Sequence, residues 1–185
     1  MRELSLHILD IIQNAITAQA KLITLDIIED RQNNWLTVTI KDNGKGMDEA
    51  FVKTVLDPFC TSRKTRKVGL GLSLFRTAAQ YCEGDLTIAS EVGVGTTVTV
   101  TFRLGHIDRA PMGDMGGTVV GLIIMNPTLD FCYGHQCNAQ TFTLDTREIR
   151  AQLGDVPLNY PDVVEWLKAY TAEGLENIVG GVNTK

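Results

Sequence analysis

The sequence has no apolar run long enough to span a bilayer. Its longest, Val119-Val120-Gly121-Leu122-Ile123-Ile124-Met125, falls far short of the roughly 20 residues a membrane helix needs, and reads instead as a core strand. It has no signal peptide either, because Glu3 and His7 interrupt the apolar stretch one requires and no small-residue cleavage site follows. Positive charge is not in excess. A net charge of −5 over 185 residues leaves no broad basic surface for nucleic acid or anionic lipid. Paired Cys-x-x-Cys spacing is missing as well: Cys60, Cys82, Cys132 and Cys137 are scattered, and the group Cys132, His135 and Cys137 offers three ligands at a spacing unlike a zinc motif. These absences point to a cytoplasmic protein with reduced thiols, no membrane partner and no nucleic-acid partner. With 44% hydrophobic and 21% charged residues, the chain suffices for one domain with a full core plus an extension.

The chain is organised around Asp42-Asn43-Gly44-Lys45-Gly46-Met47, which follows the alternating run Trp35-Leu36-Thr37-Val38-Thr39-Ile40. A carboxylate at a strand end accepts a hydrogen bond from an exocyclic amine, and Gly44 and Gly46 let a flat ring lie against bare backbone. Asp-Asn-Gly is equally a common turn, so the stretch alone leaves both readings open. Upstream, Leu4, Ile8, Ile11, Ala15 and Ala18 recur at helical steps, predicting a helix over about 2–19. Asp10 and Asn14 project one turn apart from one face. An amide oxygen at Asn14 is a suitable hard ligand for Mg²⁺, and a carboxylate at Asp10 could orient or deprotonate an attacking hydroxyl. His7 reads as a helix-surface residue. Leu22–Ile28 and Trp35–Ile40 predict a hairpin, and Asp48 an N-cap for a short helix ending near Leu56.

The segment Phe59-Cys60-Thr61-Ser62-Arg63-Lys64-Thr65-Arg66-Lys67-Val68 carries four cations and three hydroxyls, then runs into Gly69-Leu70-Gly71, which opens a helix through about Cys82. Glycines at a helix start leave amide N–H groups to meet anionic oxygens, so a basic loop followed by such a helix suits a triphosphate. No Gly-x-x-x-x-Gly-Lys-Ser/Thr occurs, which excludes a P-loop. Strands at Leu86–Ser90 and Thr96–Phe102 close the first part of the chain.

Taken in order, Asp10 and Asn14, Asp42 to Met47, Thr61-Ser62-Arg63, Gly69 to Gly71 and Gly95-Thr96-Thr97 resemble the motif series of the GHKL superfamily of ATP-binding domains. That superfamily is shared by gyrase, heat-shock chaperones, MutL-type repair proteins, histidine kinases and anti-sigma-factor kinases. The resemblance covers about residues 1–103. It implies an α+β fold, a two-layer sandwich with helices on one face of a mixed, mostly antiparallel sheet and ATP between the helices and a lid. On matching positions it implies that Asn14 binds Mg²⁺, Asp42 takes the adenine amino group and Thr96 reaches adenine through a water. Gly44 and Gly46 match the first glycine box, Gly69 and Gly71 the phosphate-contacting second one. Thr61, Ser62 and Arg63 resemble a Thr-Thr-Lys lid with arginine for lysine. Asp10 stands where hydrolysing and anti-sigma members carry Glu. Its reach is shorter by about 1 Å, a displacement that can cost on the order of 10² in rate. Nothing precedes Met1, so the phosphoacceptor hairpin of a histidine kinase is expected to be missing.

Residues 104–172 lie beyond that core and are expected to form a β-rich extension, with strands at Gly117–Met125, Leu129–Gly134 and Ala139–Leu144 in a meander. Short helices follow at Thr146–Leu153 and Pro161–Ala172, and residues 173–185 are expected to be a flexible tail. The extension either enlarges the core or docks a partner. The expected function is ATP/Mg²⁺-dependent regulation of a partner protein, by phosphotransfer as a protein kinase, by ATP hydrolysis, or as the catalytic subunit of a split histidine kinase. The alternative is a nucleotide-gated binding module without turnover. The partners implied are ATP and a regulatory or phosphoacceptor protein, with homodimer formation left open.

Overall fold

A computed structural model describes residues 3–55 and 71–180. Thr61, Ser62, Arg63 and Gly69, together with Cys60, lie outside the described residues. The elements in chain order are α1 (Leu4–Thr17), β1 (Leu22–Asp30), β2 (Trp35–Asp42), α2 (Glu49–Val55), α3 (Gly71–Tyr81), β3 (Leu86–Glu91) and β4 (Gly95–Arg103). They continue with α4 (Met115–Met125), β5 (Asp130–Cys137), β6 (Gln140–Asp145), α5 (Thr146–Leu153) and α6 (Pro161–Gly180).

Period-two alternation builds the sheet. In β1 and β2 the apolar set Ile23, Leu25, Ile27, Leu36, Val38 and Ile40 is buried on one face, and Thr24, Asp26, Thr37 and Thr39 fall on the other. Antiparallel pairing sets Leu25 against Ile40 and Ile40 against Val98 of β4, so the apolar rows continue across strands. The result is one six-stranded sheet in the order β3-β4-β2-β1-β5-β6. Its apolar face shares a single core with α1, α3, α4 and α6, which makes the fold α+β with two layers. Each fully buried Leu or Ile in that layer contributes roughly 1.5–3 kcal/mol relative to an exposed one.

The largest departure from the sequence reading is at residues 117–125, which form not a strand but most of the helix α4. The helix lies between α1 and α6, and Val119, Val120, Leu122 and Ile123 are all buried. A helix wrapped on several sides has no polar stripe, so its apolar run lacks the 3.6-residue period that would distinguish it from a buried strand. Its ends carry the distinguishing chemistry: the Asp114 side chain accepts from the Gly117 N–H at 2.7 Å, and Asn126 closes the C-terminus on the Leu122 carbonyl. The expected three-strand meander therefore reduces to β5 and β6. These join the main sheet, with β5 parallel to β1, a pairing that α4 permits by crossing between the two strands. At the end of the chain α6 continues to Gly180, so residues 173–180, expected in a tail, are helical.

Cys132, His135 and Cys137 do not converge. On β5 the side chains alternate, His135 and Cys137 pointing into the core and Cys132 to the other face, and the described residues hold no group of metal-ligating side chains. His135 instead belongs to a buried polar chain: Tyr133 Oη lies 2.8 Å from His135 Nδ1, and His135 Nε2 lies 3.1 Å from Glu29 Oε1. The hydrogen bond from His135 holds the Glu29 carboxyl below its ordinary value, opposed by burial. Glu29→Ala removes that acceptor from a buried donor and is expected to cost about 1–3 kcal/mol in urea unfolding. Because the Glu29 value is depressed on folding, its contribution is complete above the ordinary carboxylate range and lost as pH falls through the folded value. The acid limb of a Tm–pH profile should accordingly be shallower in the variant.

Candidate functional site

The connection from β2 to α2 is held on two sides. Asn43 Oδ1 accepts from the N–H groups of Lys21 and Leu22 at 2.8 and 2.9 Å, and the Lys45 N–H donates to the Ala18 carbonyl at 3.0 Å, fixing the stretch to the α1–β1 turn. On the other side the Gly93 N–H donates to the Lys45 carbonyl at 2.8 Å and the Met47 N–H to Ser90 Oγ at 2.8 Å, fixing it to the β3–β4 turn. Asp42-Asn43-Gly44 is thus part of a clamped floor rather than a free surface turn. Gly46 has φ +65°, and a methyl there would run into the Glu91 carbonyl, so a glycine is required by both backbone and neighbour. Gly44 is buried and packs against the Ala18 carbonyl and Asp42.

Asp42 ends β2 directly opposite Thr96 of β4. Its Oδ1 accepts from the Gly44 N–H at 2.8 Å. Burial pushes the carboxyl above its ordinary value, and the backbone N–H groups of Gly44 and Thr96 pull it back. An ionised carboxylate has about four acceptor positions, so two backbone donors leave capacity for a ligand. The Thr96 hydroxyl is oriented by Ser90 Oγ at 2.8 Å.

Asp42 and Thr96 line a cleft of about 390 Å³. Its walls are mostly apolar, with Ile11, Ala15, Phe51, Leu72, Val92 and Val98 among them, and its polar side chains are Asn14, Asp42, Lys45, Asp48 and Thr96. An apolar slot that holds a half-buried carboxylate acceptor fits a flat heteroaromatic ring that carries an amino group. Asn14 reaches the cleft from α1, half-buried. Asp10, one turn earlier, is exposed and stands beside the start of α3, where a methyl on Gly71 would lie 3.2 Å from Asp10 Cβ.

The structure brings Asn14, Asp42, Gly46 and Thr96 to one cleft, with Gly44 behind its floor and Asp10 and Gly71 next to each other beyond Asn14. His7 corrects the sequence reading. It is 4% exposed, and its ring stacks on Phe75 of α3 at 4.8 Å with the planes 2° apart. The docking of α3 onto α1 buries what the isolated helix would show to solvent, and that burial pushes the imidazole pKa down. Ser90, Phe51 and Val92 escaped the sequence reading. A lone serine in a strand carries no local mark, whereas Phe51, at the helix that follows the glycine stretch, could have been suggested by proximity.

Comparison with known proteins puts this geometry in context. The chain is 35% identical over 113 residues to the tetrathionate sensor histidine kinase of Salmonella typhimurium, covering 59% of this chain and 18% of that one. It is 35% identical over 105 residues to a signal transduction histidine-protein kinase of Escherichia coli, covering 56% and 17%. The chain thus corresponds to less than a fifth of the length of these relatives. Among solved structures, the N-terminal domain of a DNA repair protein superposes with a TM-score of 0.52 at 13% identity, covering 78% of this chain and 53% of that one, a likeness of fold. Residues 2–106 match the family described as histidine kinase-, DNA gyrase B- and HSP90-like ATPase, and as that match takes in more than half of the sequence, the chain belongs to this family.

Proposed function

We propose that this protein binds ATP with Mg²⁺ and uses or transfers the γ-phosphate to regulate a partner protein. The observation that carries the reading is the clamped Asp42 carboxylate lining a mostly apolar cleft, in a chain of this ATPase family. Asp42 accepts from the adenine amino group and Thr96 assists through a water. Asn14 fits Mg²⁺: its amide oxygen is a hard donor at the cleft, and Mg²⁺ takes few protein ligands when phosphate oxygens and water complete its shell. The ion would neutralise phosphate charge there. Gly71, and Gly69 before it, serve the phosphates at the start of α3, while Thr61, Ser62 and Arg63 act as the lid. Asp10 is the base that activates an acceptor hydroxyl. Residues 104–172 form the partner-docking part, built on the strands and helices that extend the nucleotide sheet.

One observation favours the alternative of a binding module without turnover. Asp10 is exposed, and no hydrogen bond among the described residues orients it. The readings separate in an ATP titration with and without Mg²⁺, followed by assay of ADP release. Asp10→Ala should leave ATP affinity within about twofold, since the side chain contributes in the transition state, and should lower turnover by about 10²–10³-fold under a base mechanism. Unchanged turnover in that variant excludes Asp10 as base and fits transfer to an imidazole, which is already nucleophilic. ATP binding with no ADP release in the wild type excludes ATP hydrolysis by this chain alone, and no ADP release with a phosphoacceptor protein supplied selects the binding module.

A further inference from the structure

The helix α6 carries a surface that the nucleotide site does not use. Val163, Leu167, Thr171 and Ile178 bury one side of it. On a separate side Asp162, Trp166, Tyr170 and Glu173 follow one another at steps of four, four and three, which places them in one line along the helix. Trp166 and Tyr170 are 48% and 40% exposed. They are not loose: the two rings stack with centroids 5.0 Å apart and planes 11° apart, Tyr170 leans on Phe142 at 5.4 Å, and its hydroxyl donates to the Thr143 carbonyl at 3.3 Å. Tyr170 therefore anchors Trp166 and covers one face of the indole. The opposite face looks along the helix toward Asp162. Neither Asp162 nor Glu173 has an ion-pair or hydrogen-bond partner among the described residues.

The same molecule shows what completes an exposed indole. Trp35, on β2, has the Arg103 guanidinium over its ring, 4.2 Å from the centroid. No cation of the described residues stands over Trp166, and Lys168, two residues on, projects from the far side of the helix into another cavity. A rigid aromatic face with an unpaired carboxylate one turn before it is complementary to a planar cation, which stacks on the indole while Asp162 neutralises it; Glu173 lies beyond Tyr170, on the covered side.

We propose that this line on α6 docks an arginine-bearing segment of a partner protein, with one guanidinium over the free face of Trp166 beside Asp162. The proposal deepens the regulatory reading by giving the partner's chemistry. Its test contains no nucleotide, so its failure is distinct from a failure of ATP binding.

The probe is a capped hexapeptide of alternating arginine and glycine, titrated into ¹⁵N-labelled full chain, with a second peptide in which citrulline, the uncharged isostere, replaces arginine. The Trp166 indole N–H resonance should move saturably with the arginine peptide while that of Trp35 stays in place, and citrulline should have little effect. Asp162→Asn should weaken binding about tenfold, as should Trp166→Ala read from the backbone amides of residues 160–174. These positions are solvent-facing, so the variants are expected to fold. Equal binding of the citrulline peptide, affinity unchanged in either variant, or no saturable shift would overturn the proposal. So would movement of the Trp166 resonance with protein concentration alone, which would assign the surface to a second copy of the chain.

Discussion

Asp42→Ala is expected to reduce ATP affinity by roughly 100-fold, the consequence of removing a charged acceptor from a desolvated hydrogen bond. The expectation rests on what the carboxylate does in the absence of ligand. It is buried enough to raise its pKa, which means that ionised Asp42 costs folding free energy above that raised value. A residue kept at a cost to stability is best explained by recognition. Asp42→Asn tests this directly, because its amide oxygen can still accept from the Gly44 N–H while its NH₂ group faces the ligand's amine as a second donor. That variant should match or exceed the wild type in Tm at neutral pH, yet bind ATP as weakly as the alanine variant. The wild-type affinity should also fall as pH drops through the raised Asp42 value, since a protonated carboxyl is a poor acceptor, and this limb should vanish in Asp42→Asn. Calorimetric titration at several pH values provides the two affinity readings, and a thermal melt at neutral pH the Tm. ATP affinity in Asp42→Asn within about threefold of the wild type would remove Asp42 from the site, because a mismatched donor at a buried polar contact cannot be that cheap.

Part of the lining of the candidate cleft was legible in the sequence. Asn14 and Asp42 stand on different elements, yet each declared itself, one by its helical spacing from Asp10 and the other by its place between an alternating strand and two glycines. Thr96 was legible only as the residue after Gly95, and the pairing of Asp42 with Thr96 across β2 and β4 brings the two to the same cleft. The first four strands were legible for a simpler reason. One face of each is solvated, so Leu25, Ile27, Val38 and Ile40 alternate with polar residues.

Where that contrast is lost, the sequence reading fails. α4 has apolar residues on nearly every side, and its valines and isoleucines favour a strand locally, so tertiary wrapping overrides propensity. Only Asp114, three residues ahead of Gly117, marked the helix start. The parallel pairing of β5 with β1 brings together residues about a hundred positions apart, and nothing local encodes it. His7 failed in the opposite direction, since its burial depends on Phe75 arriving from α3.

Gly46→Ala should be a severely damaging single-methyl change in the cleft, and Gly93→Ala isolates the cause. Both glycines have positive φ, +65° and +80°, so an alanine at either one incurs about 1–2 kcal/mol of backbone strain. At Gly93 a methyl meets nothing within 4 Å, and the strain is the whole effect. At Gly46 it meets the Glu91 carbonyl, a backbone atom that cannot rotate aside, in a strand end paired with Gly95. Relief requires the Asp42–Met47 stretch to move away from the β3–β4 turn, loosening the Met47–Ser90 and Gly93–Lys45 hydrogen bonds. With each loosened bond worth about 1 kcal/mol, Gly46→Ala should lose about 3–4 kcal/mol in urea unfolding, against about 1–2 for Gly93→Ala. The nucleotide readout should diverge more sharply. Gly93→Ala leaves the cleft unchanged and should bind ATP normally, whereas a floor displaced by even about 1 Å should weaken binding by more than tenfold in Gly46→Ala. Equal losses of stability and affinity in the two variants would mean that φ strain alone accounts for the glycine at 46, and that the contact with Glu91 does not position the floor of the cleft.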